Sequence, residues 1–240
     1  MPYLIVSDIH GNLEALEAVL ADADGRYSQI LCLGDLVGYG ANPNAIVAWA
    51  AERARAVVRG NHDKVCVGID SAETYNPAAQ ASAAWTEAEL MPAHRDFLLR
   101  LPRGPLPFDG VDLVHGSPAD EDEYLLNVEQ LPPLFPYIGS QITFFGHTHI
   151  QGGFLLAPRG SRLIPPQVVL NIEPDYFYLV NPGSVGQPRD GDPRAAYAIY
   201  SSEERTVEFR RVTYDVGRAS AKIRAAGLPD FLAARLSVGM

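Results

Sequence analysis

The sequence predicts an α/β fold built on two β-sheets, and two observations predict it. Over the first sixty residues, three short apolar runs alternate with two helical segments, as in parallel βαβ units with right-handed crossovers. The last third instead favours strands separated by turn residues, which predicts a second, largely antiparallel sheet packed on the first. The 240 residues are 47% hydrophobic and 20% charged. That composition supplies a sizeable core for one domain spanning 1–240 and excludes a largely disordered chain.

The elements follow in order. Residues 3–6 form a buried strand ending at Ser7-Asp8. Asn12 caps a helix on which Leu13, Leu16, Val19 and Leu20 recur at helical spacing. Residues 30–33 form a second strand before Gly34-Asp35, and Pro43 opens a helix over 43–53. A third strand, 56–58, precedes Gly60-Asn61-His62-Asp63. The segments 77–90 and 93–101 predict two helices, and the strand 111–114 leads into His115-Gly116. Residues 117–138 hold an acidic run, 120–123, and several prolines, and read as a long loop with little regular structure; such loops often carry function. The strand 142–145 ends at Gly146-His147-Thr148-His149. Strands follow at 153–156, 168–172, 176–180, 195–200 and 206–212, with Pro158, Gly160, Pro174, Asp175 and residues 190–193 as turns. A helix over 216–226 and a short one from Pro229 close the chain.

Charge and cysteine content narrow the partners. There are 19 basic and 29 acidic residues, a net charge of −10, so no surplus of Lys and Arg exists to neutralise a long nucleic acid. Cys32 and Cys66 cannot make a disulfide framework and read as structural. The N-terminus lacks a basic n-region and no apolar run approaches the length of a membrane span; the expectation is a soluble cytoplasmic protein with no membrane partner.

The chemistry lies at the strand ends. Asp8-Ile9-His10, Gly34-Asp35, Gly60-Asn61-His62-Asp63, His115-Gly116 and Gly146-His147-Thr148-His149 contain five of the six histidines. Strands of such a sheet present their carboxyl ends at one edge, where ligands bind, so the five clusters are expected to converge. Asp8 and His10, two apart, point to one side, as do His147 and His149. With Asp35, Asn61 and His115 they make seven oxygen and nitrogen donors of the kind that hold borderline divalent metals. Seven exceed one tetrahedral ion and suit two ions sharing a carboxylate.

Asp8-x-His10, Gly34-Asp35-x-x-Gly38, Gly60-Asn61-His62-Asp63, His115 and Gly146-His147-x-His149 resemble the motifs of the calcineurin-like metallophosphoesterase superfamily, in that family's order and with no ligand missing. The segments Asn181-Pro182-Gly183-Ser184 and Gly38-Tyr39-Gly40 are similar to its small bacterial and archaeal branch, whose members act on phosphodiesters or monoesters. The resemblance implies a four-layer αββα sandwich of two mixed sheets flanked by helices. It implies one metal on Asp8, His10, Asp35 and His149, and another on Asp35, Asn61, His115 and His147. It gives His62 the role of protonating the leaving group or contacting the phosphoryl oxygens, with Asp63 orienting it. Two divalent ions (Mn, Fe, Zn, Ni or Co) roughly 3.5–4 Å apart lower the pKa of a bridging water and clamp both oxygens of an in-line displacement. They also leave the site locally positive toward a small phosphorylated substrate, despite the overall charge.

Other residues carry lesser expectations. Arg59, Arg189 and Arg194 read as solvent-facing or ion-paired more than substrate-touching, residues 181–184 as a tight turn making backbone contacts at the rim, and His94 as an ordinary surface histidine. The helical pair at 77–101 and the loop 117–138, inserted between ligand strands, are the expected specificity elements. The competing readings are a non-catalytic metal-binding or scaffold protein on the same fold, and a phosphatase of phosphoproteins or nucleotide polyphosphates.

Overall fold

The computed structural model describes residues 1–157, 160–166 and 168–240; Pro158, read above as a turn residue, lies outside the described residues. Along the chain run β1 (Pro2–Val6), α1 (Leu13–Asp22), β2 (Gln29–Cys32), α2 (Pro43–Arg53), β3 (Ala56–Val57), α3 (Asn61–Cys66), α4 (Pro77–Glu89) and α5 (Pro92–Leu99). Then come β4 (Leu106–Phe108), β5 (Val111–Leu113), β6 (Ile142–Phe144), β7 (Gly152–Leu156), β8 (Arg162–Ile164), β9 (Val169–Asn171) and β10 (Phe177–Asn181). The hairpin β11 (Ala195–Ser201) and β12 (Thr206–Val212) leads into α6 (Val216–Ala225) and α7 (Asp230–Ala234).

Period-two alternation sorts the β1 and β2 side chains between two cores. Leu4, Val6, Ile30 and Cys32 face a helical layer contributing Leu16, Val19, Ile46 and Val47. Tyr3, Ile5, Leu31 and Leu33 face the other sheet, meeting Leu113, Ile142, Phe144, Tyr178 and Val180. Strands covered on both faces read as unbroken apolar runs, which is why these were legible.

Among the described residues both sheets are six-stranded and mixed. The first runs β3-β2-β1-β11-β12-β9, with β1, β2 and β3 parallel and the rest antiparallel. The second runs β4-β5-β6-β10-β7-β8, with β5, β6 and β10 parallel. This corrects the division expected from the sequence. The late strands β9, β11 and β12 complete the first sheet, because β1 takes β11 as its second partner, Pro2 opposite Ser201. The second sheet instead collects β5 and β6. Strand polarity is local, but the choice of partner is not. The edge strands β4 and β8 were missed because each is three residues long, and β4 contains Pro107, which only an edge tolerates. The Asn61–Cys66 helix was also missed, read only as a polar cluster.

The loop 117–138 has little regular structure. It winds two 3₁₀ turns, Val128–Gln130 and Pro132–Tyr137. Its Leu125, Leu131 and Leu134 cover Val114, Phe145, Phe154 and Leu179 on the outer face of the second sheet. Pro132, Pro133 and Pro136 deny an α-helix its hydrogen bonds, so this flanking layer is thin. At the opposite face, α6 is tied to α1 by the buried Glu14, which takes Lys222 Nζ at 2.6 Å and Arg218 Nε at 3.1 Å. No helix of the described residues is long and apolar enough to cross a membrane.

Candidate metal centre

The carboxyl ends of β1, β2 and β3 deliver Asp8, His10, Asp35 and Asn61, and those of β5 and β6 deliver His115, His147 and His149. The clusters therefore come from two sheets rather than one. Their donor atoms nonetheless converge. Those of Asp8, His10, Asp35 and His149 lie within 4.8 Å of one another, as do those of Asp35, His115 and His147. Asp35 belongs to both groups: its Oδ2 is 3.5 Å from His10 Nε2 and 3.4 Å from His115 Nε2. Asn61 Oδ1 reaches 3.0 Å from His115 Nε2, while its Nδ2 donates to the Tyr75 hydroxyl. Tyr75 thereby turns the amide oxygen inward. The two carboxylates and four imidazoles are buried, and Asn61 is half-buried.

The backbone is bent to bring them there. Asp8, His10, Asp35, His147 and His149 have φ of 53°, 49°, 53°, 66° and 59°, left-handed values that cost a non-glycine residue about 1 kcal/mol or more each and cluster at functional sites. Cross-sheet bonds hold them. The His147 N–H donates to both Asp8 carboxylate oxygens (3.3 and 3.1 Å), and Ser184 Oγ donates to the Asp8 carbonyl (2.8 Å). Asn181 Nδ2 donates to the Gly146 carbonyl (2.9 Å) and to Thr148 Oγ1 (3.0 Å). Residues 181–184 thus act through buried side chains, not through the backbone contacts expected of a rim turn. At Gly146 the sheets meet so closely that a Cβ would come 2.1 Å from Ser7 Oγ.

Ring tautomers decide what the cluster can bind. His10 Nδ1 donates to the Val37 carbonyl (2.9 Å), His115 Nδ1 to Leu33 (2.8 Å), His149 Nδ1 to Gln187 (2.6 Å), and His147 Nε2 to Asp122 (3.1 Å). A histidine fixed in this way presents the lone pair of its other nitrogen. His10 Nε2 then faces His149 Nε2 at 3.2 Å, and His115 Nε2 faces His147 Nδ1 at 3.1 Å. Two facing lone pairs repel unless a cation lies between or beside them. The charges agree. Burial, and then the Arg189 charge, hold His149 below the ordinary imidazole range. Burial opposes a charge on His115, yet the Asp35 and Asp8 carboxylates push it up to about 10, so these carboxylates favour positive charge at this position. Carboxylate, imidazole and amide donors in two groups sharing Asp35 fit two divalent ions.

His62 differs from these four rings. It is buried, its N–H donates to Asp35 Oδ1 at 2.8 Å, and its Nδ1 has no partner. The ring is held by packing instead, 4.9 Å from His10, 4.4 Å from Tyr39 and 5.0 Å from Tyr75 between centroids. Burial pushes its pKa down to about 4. The expectation that Asp63 orients it is not met. Asp63 Oδ1 accepts from the N–H of Leu36 (2.9 Å) and Val37 (3.3 Å), and Oδ2 from Gly60 (2.9 Å). As the third residue of α3 it caps its own helix and binds that helix to the loop after Asp35. Gly38, which sequence reasoning noted only as a motif position, leaves the space that the ring occupies. At φ +85°, a Cβ there would lie 2.6 Å from His62 Nδ1. Gly38→Ala is therefore expected to keep bound metal, cost about 1–3 kcal/mol of stability, and lower turnover about tenfold or more by displacing the ring. Thermal melting, metal content and ester hydrolysis measured together check this.

The remaining candidates separate. Arg59 pairs with Glu121 through two bonds of 2.9 Å, and the buried Lys64 holds Asp122 at 2.6 Å, so the acidic run is partly neutralised. Arg194 pairs with Asp192 at the surface, and His94 contacts Asn44 away from the site. Arg189 has no carboxylate partner among the described residues. Its N–H donates to the His149 carbonyl (3.2 Å), and its guanidinium lies 5.9 Å from the Tyr39 ring centroid. Beside Asn61, His62 and His147 opens a cavity of about 570 Å³ that Tyr39, Tyr75 and Tyr124 also line.

Residues 1–205 match the calcineurin-like phosphoesterase superfamily domain. The chain belongs to that superfamily. It is similar to an uncharacterized protein of Methanocaldococcus jannaschii, 37% identical over 98% of this chain and 97% of the other. The crystal structure of a metallophosphoesterase from Sphaerobacter thermophilus superposes with a TM-score of 0.88 at 39% identity, covering 100% of this chain and 99% of that one. A hypothetical protein from Pyrococcus horikoshii shares the fold, with a TM-score of 0.80 at 20% identity over 100% of this chain and 98% of that chain. The two mixed sheets flanked by helices are thus those of the calcineurin-like phosphoesterases.

Proposed function

We propose that this calcineurin-like phosphoesterase hydrolyses a small phosphomonoester or phosphodiester with two divalent ions, one on Asp8, His10, Asp35 and His149 and one on Asp35, Asn61, His115 and His147. The observation that carries this reading is the pair of buried donor groups sharing Asp35, with imidazole lone pairs facing each other across both. Bound there, the ions supply Lewis-acid polarisation of a phosphoryl oxygen and a water of lowered pKa. The chain's own residues do the rest. The seven donors would hold the ions between the two sheets. Arg189, lacking a carboxylate, is available to a non-bridging phosphate oxygen. His62 Nε2 faces the cavity; protonated against the negative charge of the bound phosphate, the ring gives one proton to the departing alkoxide and is left as neutral imidazole.

The test is chelator-free purification, metal counting, and assays on p-nitrophenyl phosphate and bis(p-nitrophenyl) phosphate. Two ions per chain and metal-dependent turnover are expected. Chelator treatment is expected to abolish turnover and lower the melting temperature, since ions that bind only the folded state stabilise it by mass action; Mn²⁺ restores both. A metal-loaded protein inert on both esters would favour a scaffold role and defeat the proposal.

A further inference from the structure

The cavity beside the metal centre has its own chemistry. It holds about 570 Å³, enough for a nucleoside, and opens directly from Asn61, His62 and His147. Its walls carry Tyr75 and Tyr124. Tyr124 stacks on His147 at 3.8 Å between centroids with a 35° tilt, yet remains 44% exposed, so one ring face is free. Among the described residues no Lys or Arg lines the cavity, whereas Asp70, Glu73 and Asp122 do. Asp122 is neutralised by Lys64, and Asp70 lies 3.8 Å from the same ammonium. Glu73 has no basic partner among the described residues, and its side chain is exposed on the rim. A flat, uncharged group is welcome against such walls, because any planar π-system stacks on a tyrosine face. A further phosphate meets carboxylates and no cation.

We infer that this cavity receives the leaving group, that Tyr124 is the platform on which a planar base stacks, and that the preferred substrate is a nucleoside ester carrying a single phosphate. The inference rests on the phosphoesterase reading and adds the substrate class. With the phosphate at the metal centre, the ester oxygen faces His62 and the sugar and base extend past Tyr75 onto Tyr124. A second phosphate between sugar and reacting centre would enter the carboxylate-lined space.

The experiment is calorimetric binding of AMP, ribose 5-phosphate and ADP to the Mn²⁺-loaded protein, with ADP presaturated with Mn²⁺. AMP and ribose 5-phosphate share the phosphate and differ only by the base. AMP is expected to bind about tenfold more tightly than ribose 5-phosphate, and ADP no more tightly than AMP. In Tyr124→Leu, which keeps an apolar cover on His147, the AMP to ribose 5-phosphate ratio is expected to fall to within about threefold; in Tyr124→Phe it is retained. Metal content is counted for each variant. Equal binding of AMP and ribose 5-phosphate, a ratio unchanged in Tyr124→Leu, absence of AMP binding, or ADP binding tenfold more tightly than AMP would each overturn the inference. Turnover of p-nitrophenyl phosphate and bis(p-nitrophenyl) phosphate, measured on the same samples, reports separately on the phosphoesterase reading.

Discussion

Asp35→Asn is expected to empty the metal centre and to reduce ester hydrolysis by about a thousandfold or more. Asp35 is the one residue common to both donor groups, with Oδ2 between His10 and His115. An amide offers one neutral oxygen where a carboxylate offers charge to two cations, and each ion's contribution to the transition state is several kcal/mol, with each 1.36 kcal/mol worth tenfold in rate. The fold is expected to survive. Asn is close to isosteric, adopts left-handed φ more readily than most residues, and can still accept the His62 N–H that now bonds Oδ1. Elemental analysis per chain decides the matter. Asp8→Asn is the contrast, since Asp8 belongs to only one group, and it is expected to spare the second ion. Two ions retained by Asp35→Asn would show that the groups do not share a bridge.

His62→Ala is expected to keep both ions while slowing hydrolysis of an alkyl phosphate ester by about a hundredfold or more. On a p-nitrophenyl ester the loss is expected to be about tenfold or less, since that phenolate departs without a proton. The difference between esters is the informative quantity. His62 is buried without a partner for Nδ1, and the charge of a bound phosphate favours the imidazolium that gives its proton to the leaving oxygen and returns to neutral imidazole. Were its role instead to hold phosphoryl oxygens, both esters would slow equally. Parallel metal counts separate either result from loss of an ion.

The sequence was most legible where chemistry is local. Asp8-x-His10 and His147-x-His149 announced themselves by spacing, and the strands β1 and β2 by apolar runs covered on both faces. Three things were hidden. Which sheet a strand joins depends on a partner nearly two hundred residues away, as with β1 and β11, so the clusters were assigned to one sheet instead of two. What Asp63 bonds depends on a loop 26–27 residues earlier, the N–H groups of Leu36 and Val37, and the resemblance that made it the partner of His62 does not carry that contact. The supports at Asn181, Ser184 and Gly38 are visible as motif residues, but their contacts with Gly146, Asp8 and His62 exist only once both sheets are in place.

The pairing of Pro2–Ile5 with Ala198–Ser201 sets a schedule for the nascent chain. β1 lies in the middle of its sheet, and one of its edges stays open until residue 201 has been synthesised. All seven candidate metal donors are on the chain by residue 149, yet Asp8 and His10 hang from a strand still unpaired on one side. During synthesis that open strand is an invitation to wrong partners, and the wait is of the non-local kind that slows folding. For this architecture, residues 198–201 give residues 2–10 their final place.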